Sequence, residues 1–570
     1  MNNGKGSLPV PIEELRKDIQ AYIDAGGNKS EAARMRKMKR NTFRDRLDMA
    51  QTKLRMKLGK IVDGHIDYVE AVQRPLPPKG GVARYFLSSC QNNTYPHPGL
   101  ANVRAYGDWF ATQPKSSFEM IFGSFSYAID AYGVKAVKRG SYDESKKGEK
   151  LWFAPELVPH IKDESIQLAP GLIWCGEMNI LPTATSPLTG LDDYNGRSSN
   201  IIPHAKHAME SIASLADEAT KFNYATGAIT MRNYIKKRAG IVAERKHSFG
   251  GVLVEVDCEG NWYVRQLQIG DDGAVYDIGP RGYRGVRIAD GKVDAIPLPK
   301  DLNAPGRSFI EAVTWGDIHA SEMELWVREL GWGPRGMLNQ LRPRKQFWHD
   351  LFSMRAAGHH EIKDFHRTFE KHVNGESSVD DEIQVTADFA TEAYREWCES
   401  VVIRSNHDRH LNRWLNEANP AHDMTNARYF YRLQDKLLDA IEGGDKDFNV
   451  LEWALRNCAN PIPAGVKFNG EDESYIILKK HGGGIECGLH GDLGPNGARG
   501  STRSLRKLGR RVNKAHDHKA TWYDGVLSGG ACARSFSYSK GPNAASISHI
   551  LTYENASRTI LTFWNEKFRA

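Results

Sequence analysis

Val401-Val402-Ile403-Arg404-Ser405-Asn406-His407-Asp408 is an apolar run that ends in an amide, an imidazole and a carboxylate. The β-branched residues predict a strand, and the polar residues fall at its end. Four other segments of the second half have the same character: Gly316-Asp317-Ile318-His319, His349-Asp350, Leu489-His490-Gly491-Asp492 and Ala515-His516-Asp517-His518. Ile310-Glu311-Ala312-Val313-Thr314-Trp315 predicts a further strand, ending at Gly316-Asp317. In a layered α/β fold, strand ends converge on one edge, so residues distant in sequence can meet there. Asp317 and His319 are two apart, which keeps both on one side of an extended segment, and His516 and His518 repeat the spacing. A lone histidine is ordinarily a core or surface residue. Carboxylates, an amide oxygen and imidazoles at successive strand ends are instead an inventory for a metal site.

Outward from this set, residues 301–570 read as strand, loop and helix in repetition. Residues 359–400 are predicted helical, with Phe365, Phe369, His372 and Val373 spaced for one face. Ser504 to Val512 has Leu505, Leu508 and Val512 on one helical face and Arg506, Lys507, Arg510 and Arg511 on the other. That is either a packed amphipathic helix with solvated charges or a rail for phosphates. Trp522, Tyr523, Phe536 and Tyr538 are core residues or platforms for bases. Strand signals at 84–89, 118–122, 172–175, 252–256 and 262–267, with a helical stretch at 204–216, predict a mixed α/β domain over 82–300. Its polar residues Gln91, Asn92, Asn93, His97, His204, His207 and His247 lie near strand ends, where they touch substrate or cap loops. Residues 61–81, with Pro75, Pro77 and Pro78, read as a linker.

The N-terminal 60 residues are helical and basic. They hold 15 Lys and Arg against 7 Asp and Glu, whereas the whole 570-residue chain has a net charge of only +7. A basic module on an otherwise balanced chain points to a polyanion, with DNA the leading partner. Ala32-Ala33-Arg34, a short turn and Thr42-Phe43-Arg44-Asp45-Arg46-Leu47 follow in order. This resembles a helix-turn-helix of the Fis or resolvase kind, with Arg36 where a glycine is usual. Arg34, Arg36, Lys37, Lys39, Arg40, Arg44 and Arg46 would then be the DNA contacts. A small helical hairpin serving dimerisation is the plainer reading.

Composition excludes several classes. Apolar residues are 40% and charged residues 26%, as in ordinary globular proteins. No apolar run approaches about 18 residues, so no membrane span is expected. The N-terminus lacks the apolar core of a signal peptide. The seven cysteines are odd in number and never in a CxxC pair, which favours free thiols in a reducing cytoplasm.

The order Asp-x-His, Asp, Asn-His-Asp, His, His-x-His resembles the calcineurin-like metallophosphoesterase superfamily, whose motifs read DxH, GDxxD, GNH[DE], a single His and GHxH. The likeness covers about 250 residues. Three motifs depart from the pattern: His349-Asp350-Leu351-Phe352-Ser353 lacks the leading Gly and trailing Asp, and Ser405 and Ala515 replace glycines. Asp364, Asp380 and Asp381 are rival carboxylates for the second motif. The resemblance implies a four-layer α/β/β/α sandwich at 301–570, within a chain that is α/β overall, with a mixed α/β middle domain and an all-α N-terminal module at 1–60. It also implies two divalent ions. Asp317, His319 and His518 would hold one, Asn406, His490 and His516 the other, and Asp350 would bridge them. His407 would stand beside the scissile phosphate, oriented by Asp408. Family habit favours manganese, with iron, zinc or magnesium as alternatives.

With the basic N-terminal module, these residues imply a two-metal DNA nuclease that hydrolyses phosphodiesters with water activated between the ions. The catalytic half resembles the SbcD-type repair nucleases. The whole chain, including Tyr538-Ser539-Lys540-Gly541-Pro542-Asn543 and Asn555, resembles the early host-DNA-degrading nucleases of tequintavirus-type phages. That likeness implies a homo-oligomer acting on DNA in the bacterial cytoplasm, away from membranes. The rival readings are a metallophosphatase for protein phosphate or small nucleotides, and a DNA-binding protein with a relict, inactive phosphoesterase fold.

Overall fold

The computed structural model describes residues 10–25, 29–53, 61–62, 65–66, 71–127, 152–215, 218–358 and 364–570. Helices account for 27% and strands for 28% of the chain, so the α/β class holds. Part of the predicted helical stretch, 359–363, lies outside the described residues.

The second half is organised by a six-stranded sheet in the order Lys467–Asn469, Glu399–Ile403, Lys345–His349, Ile310–Thr314, Ser548–Tyr553 and Arg558–Thr562. Its first four strands are parallel and the last two antiparallel. Parallel strands need crossovers, and helices such as Leu325–Trp332, Val379–Ala393 and Asn406–Glu417 supply them. These helices cover one face of the sheet around Trp315, Trp332, Trp348, Phe389, Leu411 and Leu451, all fully buried.

The other face packs against a second, eleven-stranded sheet. Ala312, Phe347, Val401 and Ile403 meet Ile477, Ile485 and Cys487 in one apolar cluster between the sheets. A four-stranded sheet extends the first layer sideways. Its edge strand Trp262–Gln268 lies along Arg558–Thr562, where Gln266 N–H donates to Thr559 Oγ1 at 3.0 Å. Side chains of all three sheets, among them Leu87, Val254, Tyr224, Trp522 and Ile560, share one core.

The eleven-stranded sheet corrects the expected domain boundary near 300. Thr521–Tyr523 pairs with His204–Ile212, joining Thr521 to Glu210 and Trp522 to Met209. Strands from 165–227 and from 476–528 thus form one hydrogen-bonded surface that crosses that boundary. The expected linker is not wholly a linker either, since Val72–Gln73 joins the edge of this sheet against Ser165–Ala169.

Two helix assignments also change. The stretch 204–216 contains the strand His204–Ile212 in the middle of the large sheet. Both its faces are covered, so its polar-apolar alternation is lost and the pattern mimics a helix. The segment Ser504 to Val512 is a short helix, Thr502–Leu505, and a 3₁₀ turn, after which Gly509 at φ +65° redirects the chain into the strand Arg511–Lys514. Helix Phe365–Val373 forms as predicted, but its apolar face is open, with Phe365 75% and Phe369 59% exposed.

At the N-terminus, helices Ile12–Asp24, Lys29–Met35 and Arg40–Lys53 enclose Leu15, Ile19, Ala32, Ala33, Phe43 and Leu47. Lys37, not Arg36, takes the left-handed backbone at the turn (φ 52°).

Candidate metal centre

The centre lies where three neighbouring parallel strands stop. Ile310–Thr314 leads to Asp317 and His319, Lys345–His349 to Asp350, and Glu399–Ile403 to Asn406. Extended pairing continues past the strand ends: Ile318 N–H donates to His349 O at 2.9 Å and His319 N–H to Asp350 O at 2.7 Å. Strand Arg511–Lys514 of the facing sheet delivers His516 and His518. The two layers touch through bare backbone here, since a Cβ on Gly316 would stand 2.5 Å from the Gly530 carbonyl. Close by, Asp317 Oδ1 accepts from His516 N–H at 3.0 Å.

All seven expected ligands meet at this edge. His518 Nε2 is 3.3 Å from Asp317 Oδ2, His490 Nε2 is 3.4 Å from Asp350 Oδ2, and His319 Nε2 is 3.6 Å from Asp350 Oδ2. Asn406 Oδ1 lies 3.0 Å from His490 Nε2 and 3.1 Å from His516 Nδ1. Asp350 belongs to two groups able to hold a cation, His319–Asp350–His407 and Asp317–Asp350–His518, each with ligand atoms within 4.8 Å of one another. The rival carboxylates are elsewhere: Asp364 caps helix Phe365–Val373, and Asp380 and Asp381 lie in the first turn of Val379–Ala393.

Two further features coincide at this edge. His319, Asp350, His516 and His518 all adopt left-handed backbone, with φ of 47°, 44°, 77° and 54°. Non-glycine residues in that region cost of order 1–3 kcal/mol each and persist where surrounding structure holds them for a purpose. Asp317 Oδ2, Asp350 Oδ1 and His319 Nε2 are also buried without a hydrogen bond among the described residues. Such atoms are costly unless something coordinates them. Hard carboxylate oxygens beside imidazole nitrogens, with no thiolate, fit a divalent ion such as manganese, iron or zinc.

Buried like and unlike charges compete at this edge. Burial, followed by the charge of Asp350, pushes the Asp317 carboxyl up to about 8. Burial also works against the charge of Asp350, but His490 and His407 hold it well below the ordinary carboxylate range. Burial alone would lower His490; Asp350 and Asp317 raise it to about 9. Burial depresses His516 and His518 to about 4 and His319 well below its usual value. The last three imidazoles are therefore neutral, the form that binds metal.

Sequence reasoning missed what holds the ligands in place. His319 Nδ1 is 2.8 Å from Ser353 Oγ, which donates to Glu322 Oε1 at 3.2 Å. His407 Nδ1 donates to the Ser353 carbonyl at 2.6 Å. The predicted role of Asp408 is thereby corrected. Its carboxylate turns back to accept from Ser405 N–H at 3.2 Å and closes a capping box on helix Asn406–Glu417. Adjacent helix residues point in different directions, so Asp408 cannot serve both the cap and His407. Ser353 was visible only as the residue replacing the trailing Asp of the second motif. Glu322 carried no signal.

Other candidates take structural roles. His204, His207 and His247 are buried, and burial lowers them to about 4, 4 and 3. Each bonds a backbone carbonyl, of Leu181, Gly251 and Thr230 respectively. Arg506 is tied to Asp524 (2.8 Å), Arg510 to the Gly483 carbonyl (2.8 Å) and Arg511 to the Ala556 carbonyl (3.2 Å), which leaves little of a rail there. Of the expected DNA contacts, Arg36 and Arg46 are half-buried and grip the buried Asp18 at 2.7 and 2.6 Å. Arg34, Lys37, Lys39, Arg40 and Arg44 are exposed.

No helix among the described residues is long and apolar enough to cross a membrane. No protein-family model and no solved structure matches the chain. Protein A1 of Escherichia phage T5 is 30% identical over 504 residues, which span 85% of this chain and 83% of that relative.

Proposed function

Because the chain belongs to the family of Escherichia phage T5 protein A1, we propose that it is a phage-encoded, two-metal DNA nuclease of calcineurin-like metallophosphoesterase type. The helices, sheet and facing sheet of 301–570 are read as the core of that superfamily's sandwich. One observation carries the reading. Asp350 belongs to both groups able to hold a cation, and Asp317 Oδ2, Asp350 Oδ1 and His319 Nε2 within them are buried without a hydrogen bond among the described residues.

In this reading Asp317, His319 and His518 hold one ion, Asn406, His490 and His516 the other, and Asp350 serves both. When bound, the pair supplies Lewis acidity that neutralises phosphate oxygens and makes water a nucleophile at neutral pH. The chain's own residues do the rest. The Ser353 carbonyl accepts a hydrogen bond from His407 Nδ1–H, which orients the ring so that Nε2, when the ring carries a second proton there, would give that proton to the departing oxygen. Ser353 Oγ fixes the His319 ring so that its Nε2 is the ligand atom. The basic N-terminal helices are read as a helix-turn-helix that keeps DNA near the centre.

The test is incubation of purified protein with plasmid and linear DNA in manganese and in chelator, beside Asp350→Ala and His407→Ala. Cleavage by the wild type in manganese, lost in both variants, is expected. Turnover of a phosphate monoester with intact DNA would replace the nuclease by a phosphatase.

A further inference from the structure

The centre opens into a half-open cleft of about 950 Å³. That is the upper end of the range for sites that enclose a small ligand, and more than one phosphate needs. His407, His516 and His518 line one side, and Tyr538 stands with them. The far wall comes from the middle of the chain, Ser186–Thr189 and Ala208–Glu210, and the rim from Arg499–Arg503.

The cations at this rim are not equivalent. Lys519 lies 3.6 Å from Glu210, whereas Arg506 and Lys246, which do not line the cleft, both bind Asp524. Arg499 and Arg503 are exposed and have no ion-pair partner among the described residues. Arg503 instead lies over the Tyr523 ring, 5.5 Å from its centroid, and Tyr523 OH reaches Ser186 Oγ at 3.3 Å. Two unpaired guanidiniums beside a phosphodiester centre suit the phosphates on either side of the one being cut.

Tyr538 supplies the other half of the argument. It is 39% exposed, lies parallel to Phe536 (7°, 5.5 Å), and its ring is 6.2 Å from that of His407. An aromatic ring fixed from behind and open to a cleft is a platform for a nucleobase. A base in a duplex is stacked on its neighbours and unavailable, whereas an unpaired base can splay onto the ring. The cleft has room for a few nucleotides of one strand and not for two backbones spaced about 12 Å apart across a major groove.

We propose that this cleft is a slot for one unpaired DNA strand, in which Arg499 and Arg503 take flanking phosphates, Tyr538 stacks a base beside the cut, and Ser186–Thr189 forms the far wall. The proposal rests on the nuclease reading and gives the middle region a place in substrate binding.

The experiment uses the full chain in EDTA, so that no cleavage occurs and the metal assignment is not at stake. A short oligothymidylate carrying one 5-iododeoxyuridine is irradiated with the protein, as a single strand and as its duplex, and adducts are mapped by mass spectrometry. Single-strand adducts at Tyr538 or Tyr523, absent with the duplex, are expected. Tyr538→Ala should weaken single-strand binding by about 5- to 100-fold. Arg499→Glu and Arg503→Glu should each reduce the salt slope of binding by about one. Arg499→Gln and Arg503→Gln repeat the measurement with less risk to folding. Equal duplex adducts at Tyr538, or single-strand affinity and salt slope unchanged in all these variants, would overturn the slot. If adducts form but DNA survives in manganese, the nuclease reading fails while the slot stands.

Discussion

Asp350→Asn gives the sharpest test of the shared ligand. A bound ion stabilises the folded state by RT ln(1 + [M]/Kd), about 2.7 kcal/mol at a hundredfold excess over Kd. In the two-ion reading Asp350 is common to both ligand sets, so the wild type should gain the sum of two sites, ~5.4 kcal/mol. An unfolding entropy of about 2.1 cal/mol/K per residue amounts to ~1.2 kcal/mol/K for 570 residues, and the rise in Tm is then ~4.5 °C. The amide keeps the shape of the carboxylate but removes the charge common to both sites, so Asp350→Asn should lose nearly the whole shift. His516→Ala touches one set only and should keep about half. Differential scanning calorimetry of each protein in EDTA and in manganese reads this directly, and comparison within each variant cancels any change in apo stability. A full manganese shift in Asp350→Asn, or none in the wild type, would refute the shared-carboxylate centre.

His407→Gln should depress turnover by about 10²- to 10⁴-fold, as expected for loss of a proton donor, while the manganese shift in Tm persists; loss of both together would make His407 a ligand. Ser353→Ala removes the hydroxyl at His319 Nδ1 but not the carbonyl at His407, and metal titration should show affinity about 10- to 100-fold weaker. Unchanged affinity would make Ser353 a bystander. Acid should expose a separate weak point at Glu255, which burial would raise but which Arg265 and Arg84 hold down, from 4.5 to about 2. A depressed carboxylate contributes stability that is complete above its unfolded pKa and lost as pH falls through the folded one, here ~3 kcal/mol between about pH 4.5 and 2. Urea unfolding at pH 5 and pH 3 should differ by ~2 kcal/mol of this, the share lost above pH 3, and Glu255→Gln should show the smaller drop.

The candidate ligand set was legible because its chemistry is local: each candidate residue follows an apolar strand or precedes a tight loop, and carboxylate, amide and imidazole are residue types able to coordinate a cation. The strands at 310–314, 399–403 and 250–257 were legible for the same reason, as β-branched runs between turns. What tertiary structure alone decided concerns partners. Residues 204–209 lie buried on both faces, so nothing in their pattern distinguishes a central strand from a helix. Asp408 reads like an orienting acid, yet the unmet N–H groups at a helix start claim it, and a carbonyl takes its place at His407. Arg36 and Arg46 read like DNA contacts until Asp18 is found buried between them.

By itself, then, the sequence determined which side chains gather and what they can coordinate. Only the folded chain decided that residues before and after 300 share one sheet, and that a middle-region loop walls the cleft. Hydrogen bonds between strands some 300 residues apart, such as Ser211 N–H to the Ala520 carbonyl at 3.0 Å, form between generic backbone groups, and those groups leave no mark on side-chain order.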